Sequence, residues 1–373
     1  MRVPPFLMER WQSTFEHRVD YNISESGVHP LTLSELLELI DLDPADVRLE
    51  YGQSDGSDPL KAAIADLYDG ASPDNIIATT GGAEANYVVL WRLVSPGDRV
   101  VALEPTYGQT PGLARGLGAN VVSWQLREDL GWQPEPGSAA EVITPGTRLV
   151  IVTNPNNPTG AVLTEAAMDE IVAAAEAVGA WILSDEVYTG AEVEGPETPS
   201  FWGRYDRVIV TNSLSKAYAL PGLRLGWITA PADMHEELWS RKDYTTITPA
   251  TLSDIAARRV LNPAVRPRVI ERTRGIIRSN LPSVRRWLDD RGDLFSYRAP
   301  DAGAICYVRY GLDINSTELA ERLRAEKGVL LVPGDHFGMD RYLRIGFGNP
   351  AAELDEALDR VAALIEASCV AVA

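Results

Sequence analysis

From about residue 58 to residue 213 the sequence alternates between helix-patterned and strand-patterned stretches. "DPLKAAIADLY", "AEANYVVLWRLV" and "EAAMDEIVAAAEAVG" read as helices; "NIIATT", "RVVALEP", "RLVIVTN", "AWILSDEV" and "RVIVTNS" read as strands. The strand runs are almost continuously Val, Ile and Leu, with no polar face to show to water. Such strands have to be covered on both sides, which predicts a mostly parallel sheet between helical layers. After about residue 250 the texture changes to a long charged helical stretch, "RPRVIERTRGIIRSNLPSVRRWLDD", followed by "AICYVRY", "NSTELAERLRAEKG", "VLLVP" and "YLRIGF". The expectation is an α/β fold with a large domain over residues 41–250, and a smaller α+β domain made of residues 1–40 and 251–373. In the first forty residues, "HPLTLSELLEL" reads as one helix started by Thr or Ser.

The chain has 373 residues, 45% of them hydrophobic, enough for two cores. Its formal charge of -19 repels phosphate backbones and anionic membrane surfaces, so neither nucleic acid nor a membrane is expected as a partner. Cys306 and Cys369 are far apart, which suggests no disulfide framework and a cytoplasmic location. The four histidines, His17, His29, His235 and His336, show no metal-ligand spacing, and no metal is expected. The N-terminus lacks the apolar run of a secretory segment, and no later stretch reaches membrane-spanning length.

Several short motifs fall where open α/β sheets bind ligands, at strand C-terminal ends. In "ATTGGAEANYVV" a strand ends in Gly81 and Gly82 and a helix begins, offering free N–H groups to an anion; a tight strand-to-helix turn is the plainer alternative. "NPNNPTG" places Asn157 at a polar corner, where turn chemistry alone is also sufficient. In "SDEVY" a buried strand runs into Asp185, with Tyr188 after it; the carboxylate either caps the turn or meets a cation. "SLSKAYALPGLRLGW" sets Lys216 between buried strands. A desolvated amine with a depressed pKa suits attack on a carbonyl, while an ion pair with Asp185 is the structural alternative. Ser213 and Arg224 beside it suit phosphate oxygens, and Arg344 in "YLRIGFG" suits a carboxylate or an interdomain salt bridge.

Taken in order, "TGGAEA", "NPNNPTG", "SDEVY", "SLSKAYALPGLRLGW" and "YLRIGFG" resemble the class I/II aminotransferase family over nearly the whole chain. The resemblance implies the fold-type-I architecture, with a seven-stranded-type sheet, and pyridoxal 5'-phosphate (PLP) as cofactor. It implies that Lys216 forms the Schiff base with PLP and then shuttles the proton at the substrate α-carbon. Asp185 would keep the ring nitrogen protonated, and Asn157 and Tyr188 would donate to the ring oxygen. Tyr107 would stack on the ring, and Gly82, Ala83, Ser213 and Arg224 would bind the phosphate. Arg344 would take the substrate carboxylate. A homodimer is implied as well, with Tyr51 reaching the partner's phosphate. Thr245 and Thr246 lie where the neighbour's segment approaches in the family; Arg241 before them could serve a substrate side-chain acid, but reads more plainly as an exposed helix charge.

Near the N-terminus the family's apolar-Gly-acidic-Pro segment is replaced by "NISESGVHP". Gly27 keeps a close backbone approach for a substrate carboxylate, Ser24, Ser26 and His29 add polar groups, and His29 and His336 are candidates for a second base, although lone histidines are more often hydrogen-bonded structure than catalysts. Its "SGVH" run, together with "LSKAY" and "LPGLR" of the lysine motif, resembles the branch that contains capreomycidine synthase, some of whose relatives cut or cyclise rather than transaminate. The expected activity is transamination between an L-α-amino acid and a 2-oxo acid. The alternative is a PLP-dependent lyase, cyclase or decarboxylating or oxidative enzyme on a modified amino acid, such as an S-substituted cysteine or an arginine derivative. A transcription-regulator effector domain would require a DNA-binding module and a basic patch, which the sequence does not offer.

Overall fold

The computed structural model describes residues 2–370, with side chains through residue 367; the side chain of Cys369 lies outside that set. Eight strands form the central sheet, in the spatial order Ile76–Thr79, Gly226–Thr229, Val208–Ser213, Trp181–Asp185, Thr147–Thr153, Arg99–Glu104, Asn120–Arg127 and Gln133–Pro134. The five strands from Val208–Ser213 to Asn120–Arg127 pair in parallel, and Gly226–Thr229 is antiparallel to both its neighbours. The count exceeds the seven-stranded expectation because Gln133–Pro134 turns back to add a two-residue antiparallel edge after the exposed Asn120–Arg127 strand. Such a stub is too short to leave a hydrophobic trace in the sequence.

The strands Val208–Ser213 and Gly226–Thr229 are buried at every position, as two-sided coverage demands. Helix Glu165–Val178 shows how a covering layer is specified. Thr164 accepts a hydrogen bond from the Ala167 N–H at its start, and Gly179 ends it in the left-handed region at φ 68°. Between those signals Met168, Ile171, Val172 and Ala175 bury one face.

A second sheet is antiparallel, in the order Phe295–Tyr297, Ile305–Tyr310, Tyr342–Gly346 and Val332–Pro333. The N-terminal segment is tied to this region. Tyr21–Asn22 pairs in parallel with Val329–Leu330, and Trp11 donates to the Leu331 carbonyl at 2.9 Å. Helix Leu33–Leu39 carries a full capping box, Thr32 with Glu35. Residues 24–28 cross between two backbone anchors. On one side Ile23 donates to Leu330 and accepts from Gly346; on the other the His29 N–H donates to Gly348, at 2.7 Å. No described helix is long and apolar enough to cross a membrane.

Candidate active site

A cavity of about 420 Å³ opens where the central strands end, bounded on its far side by the N-terminal segment and by strand Tyr342–Gly346. Its floor is made by strand ends. Thr153 and Asp185 terminate adjacent parallel strands, and Ser213 terminates the next. Asp185 is only 7% exposed and has neutral partners: Asn86 Nδ2 donates to it at 3.0 Å and the Val187 N–H at 3.3 Å. Burial raises its pKa, and these bonds offset that only in part. Asn86 is itself fixed, since Thr211 donates to its oxygen at 2.7 Å. Its signal in the sequence was a polar residue on the buried face of the apolar helix "AEANYVVLWRLV", which no motif drew attention to.

Helix Gly81–Leu93 begins directly after its strand, so its first-turn N–H groups face the cavity beside Gly82 and Ala83. The turn requires glycine. Gly81 has φ +78°, and a Cβ there would stand 2.5 Å from the Arg224 guanidinium. Gly226 packs its backbone on the same turn, with room for no Cβ, which would approach the Gly82 nitrogen to 2.6 Å. Arg224 sits in the left-handed region at φ 48°, an uncommon conformation for a residue with a Cβ, and its only hydrogen bond among the described residues is to the Pro221 carbonyl. Ser213, Ser215 and Arg224 therefore line one end of the cavity together with a helix N-terminus.

At the opposite end Arg344 is 1% exposed, and its hydrogen-bond partners are neutral. It donates to Asn157 Oδ1 at 2.8 Å and to the Ser24 carbonyl at 2.5 Å, while its Nε has no partner. Burial lowers its pKa, an unfavourable state for a guanidinium that an arriving anion would relieve. Asn157 thus spends its oxygen on Arg344, leaving the amide N–H₂ as the end that can serve a ligand. Tyr188 donates to Ser26 Oγ at 2.7 Å, and Tyr107 packs edge-on against Phe6 at 5.0 Å, its hydroxyl 3.4 Å from Glu9.

Lys216 lies in the middle, with Nζ 3.4 Å from Glu25. Two expectations are corrected here. The lysine does not pair with Asp185, and its pKa is not depressed: burial, the largest single influence, lowers it, but the charge of Glu25, Tyr188 and the hydrogen bond to Glu25 together turn the net direction upward. Glu25 lies inside the quoted "NISESGVHP" stretch, where the serines, Gly27 and His29 attracted notice and the carboxylate did not. Gly27 backs onto the lysine stem, its Cβ position 3.5 Å from Lys216 Cδ.

Neither histidine enters the cavity. His29 turns Nδ1 to the Gly348 carbonyl at 3.0 Å, because residues 24–28 have already carried the chain past the opening. His336 lies edge-on to Trp11 at a neighbouring apolar groove, where burial pushes its pKa down to about 4. Thr245 and Thr246 are held by Glu84, and Arg241 bonds the Glu237 carbonyl of its own helix. Tyr51 stands 88% exposed, outside its own chain's cavity. Among the described residues, no group of three or more His, Cys, Asp or Glu could hold a metal ion.

Helix Leu7–Phe15 and the residue after it bring Glu9, Gln12 and Glu16 to the cavity wall. None of the three carries a motif, and sequence reading missed them.

The sequence profile described as "Aminotransferase class I and II" matches residues 32–361. The chain is 33% identical over 371 residues to capreomycidine synthase of Streptomyces vinaceus, covering 95% of this chain and 92% of that protein. Among solved structures, a PLP-dependent aminotransferase from Streptococcus suis superposes with a TM-score of 0.92 at 36% identity, covering 98% of both chains. The PLP-dependent cyclase OrfR superposes with a TM-score of 0.89 at 28% identity, again covering 98% of both. The strand order, the cavity at the strand ends and these likenesses agree: the chain belongs to the class I and II aminotransferase family, whose enzymes depend on PLP.

Proposed function

We propose that the chain exchanges the amino group of an L-α-amino acid with a 2-oxo acid, using PLP bound through Lys216. The observation that carries this reading is a set of three charges in one cavity whose hydrogen-bond partners in the protein are neutral. Two are cations, Arg224 and Arg344, and one is a buried anion, Asp185. PLP fits them. Its phosphate suits Arg224, Ser213 and the N–H groups of Gly82 and Ala83. A protonated ring nitrogen would give Asp185 the positive partner that it lacks.

PLP supplies an electron sink for charge that develops at the substrate α-carbon. The protein's part is to orient and to move protons. Asn157 and Tyr188 would donate to the ring oxygen, and Tyr107 would cover the ring. Arg344 would fix the substrate carboxylate where Lys216 can take and return the α-proton, with Gly27 allowing close approach. We also infer a homodimer in which Tyr51 serves the partner's site. Leu49, Tyr51, Tyr244 and Ile247 are all strongly exposed, and residues 50–53 are joined to residues 248–251 by hydrogen bonds from Thr248 and Thr251. Residues 41–250 would form the cofactor-binding domain, and residues 1–40 with 251–373 the second.

A second reading, a cyclase or lyase acting on a basic amino acid such as an arginine derivative, is favoured by one observation. Glu9, Glu16 and Glu25 all line the substrate side of the cavity. One experiment separates the two. PLP-loaded protein is mixed with single L-amino acids without any oxo acid. Transamination releases one equivalent of 2-oxo acid per site and stops until an acceptor is added; repeated turnover without an acceptor would overturn the first reading in favour of the second. The lysine assignment has its own test, because Lys216→Ala should leave no borohydride-reducible link to PLP.

A further inference from the structure

Glu25 is the only carboxylate within ion-pairing distance of Lys216 among the described residues. It does not belong to a sealed core. Protein surrounds it on most sides, yet 49% of its side chain is open to the cavity, against 24% for Lys216. The pair is held by backbone: Gly27 abuts the lysine stem, and the segment carrying Glu25 is anchored at Ile23 and His29. We propose that Glu25 is a positioning residue for Lys216, keeping the free amine in its ammonium form and so setting the pH range over which the lysine captures the aldehyde of PLP. The proposal rests on the assignment of Lys216 as the PLP lysine.

The chemistry fixes the direction of the effect. Ammonium plus aldehyde gives a protonated C=N bond plus one water, with no change of oxidation state. The nitrogen must first release a proton to expose the lone pair that attacks the carbonyl carbon, so capture follows the neutral fraction of the amine. The groups that face the amine come from three elements. Glu25 on the N-terminal segment and Tyr188 after strand Trp181–Asp185 favour the charged form, and Arg344 on strand Tyr342–Gly346 opposes it. Asp185, Arg224, Glu9 and Glu16 line the same cavity at longer range. The two partners' shifts agree in sign: the charge of Lys216 lowers the Glu25 pKa, and that of Glu25 raises the Lys216 pKa against burial. Removing the carboxylate leaves only Tyr188 to oppose burial and Arg344, and the amine shifts toward neutrality.

The test uses the full-length apoprotein and PLP, trapping the adduct with borohydride over a pH series and reading it by intact mass. Glu25→Gln should capture PLP about tenfold faster at pH 7 for each unit by which the amine's pKa falls, and converge with the unsubstituted protein at high pH. Glu25→Asp, which keeps the charge, should keep most of the original profile. Glu25→Ala repeats the measurement if Glu25→Gln proves poorly folded by circular dichroism. An unchanged pH profile in folded Glu25→Gln or Glu25→Ala would overturn the proposal. So would slower capture at every pH with an unmoved midpoint, which would make Glu25 a proton acceptor instead. Failure of the unsubstituted protein to capture PLP, or capture that survives Lys216→Ala, would overturn this proposal and the lysine assignment together.

Discussion

Asp185, Asn86 and Ser213 sit on the floor of the cavity, nearly buried, at positions dictated by a sheet and by the helix packed on it. Across the opening, Glu9, Glu16 and Glu25 stand on a short helix and an extended crossing, with their carboxylates toward space that a ligand can enter. The first group is expensive to disturb, because each polar atom has been taken out of water. The second is cheap to disturb, because solvent still reaches it. The difference teaches where each part of the chemistry belongs: an invariable cofactor can be met by a rigid floor, whereas a substrate side chain is met by a wall whose charges cost little fold stability.

The sharpest way to break this contrast is Asp185→Asn. Removing a charge meant for a buried partner costs about 3–5 kcal/mol, so kcat should fall by roughly a hundredfold to several thousandfold. A fall below about fivefold in steady-state assays would mean that the floor is not the electrostatic centre. Next comes pH. Burial raises the Glu186 pKa from 4.5 to about 7 in the folded chain. An acid raised on folding stabilises fully below its unfolded pKa, and that contribution is lost as pH rises toward the folded value. Apoprotein stability should therefore drop by roughly 3 kcal/mol between pH 4.5 and 7 from this group, and Glu186→Gln should flatten that part of the Tm profile. Arg344→Ala should raise KM for amino acids about ten- to a hundredfold, since charge-assisted hydrogen bonds contribute roughly 1.5–3 kcal/mol; steady-state kinetics at fixed PLP would show it. The smallest effect belongs to the wall. Glu9→Gln or Glu16→Gln should raise KM by no more than about fivefold, and only for amino acids with basic side chains, at roughly 0.2–1 kcal/mol per exposed pair. Equal changes for basic and neutral substrates would remove the argument for a charge-reading wall.

The same contrast explains what could be read from the sequence. Asp185, Asn157, Ser213, Lys216, Arg224 and Arg344 all come together in one cavity, and each is flanked by strand or turn signals that constrain its place. Apolar strand runs have one way to be buried, so the polar residue at the end of each is located by the run itself. Glu9, Glu16, Glu25 and Asn86 had no such marker. Three ride on segments whose path depends on distant strands, Tyr21–Asn22 pairing with Val329–Leu330 across more than three hundred residues of sequence. The fourth is a polar residue within an apolar helix, visible only once Asp185 is placed opposite it. The histidines followed the plainer of their two readings: local backbone bonds and burial assign both to structure.

The crossing formed by residues 24–28 is fastened at Ile23 and His29 by backbone groups, which any amino acid provides. Between the fasteners Ser24 and Ser26 are buried and hydrogen-bonded and Gly27 abuts the lysine stem, but Glu25 is exposed, so it can be exchanged as a key is recut without altering the lock plate. An engineer seeking to redirect this enzyme has one exposed position on the crossing to vary, and a lineage under selection has a site where new substrates can be tried while the scaffold stays unchanged.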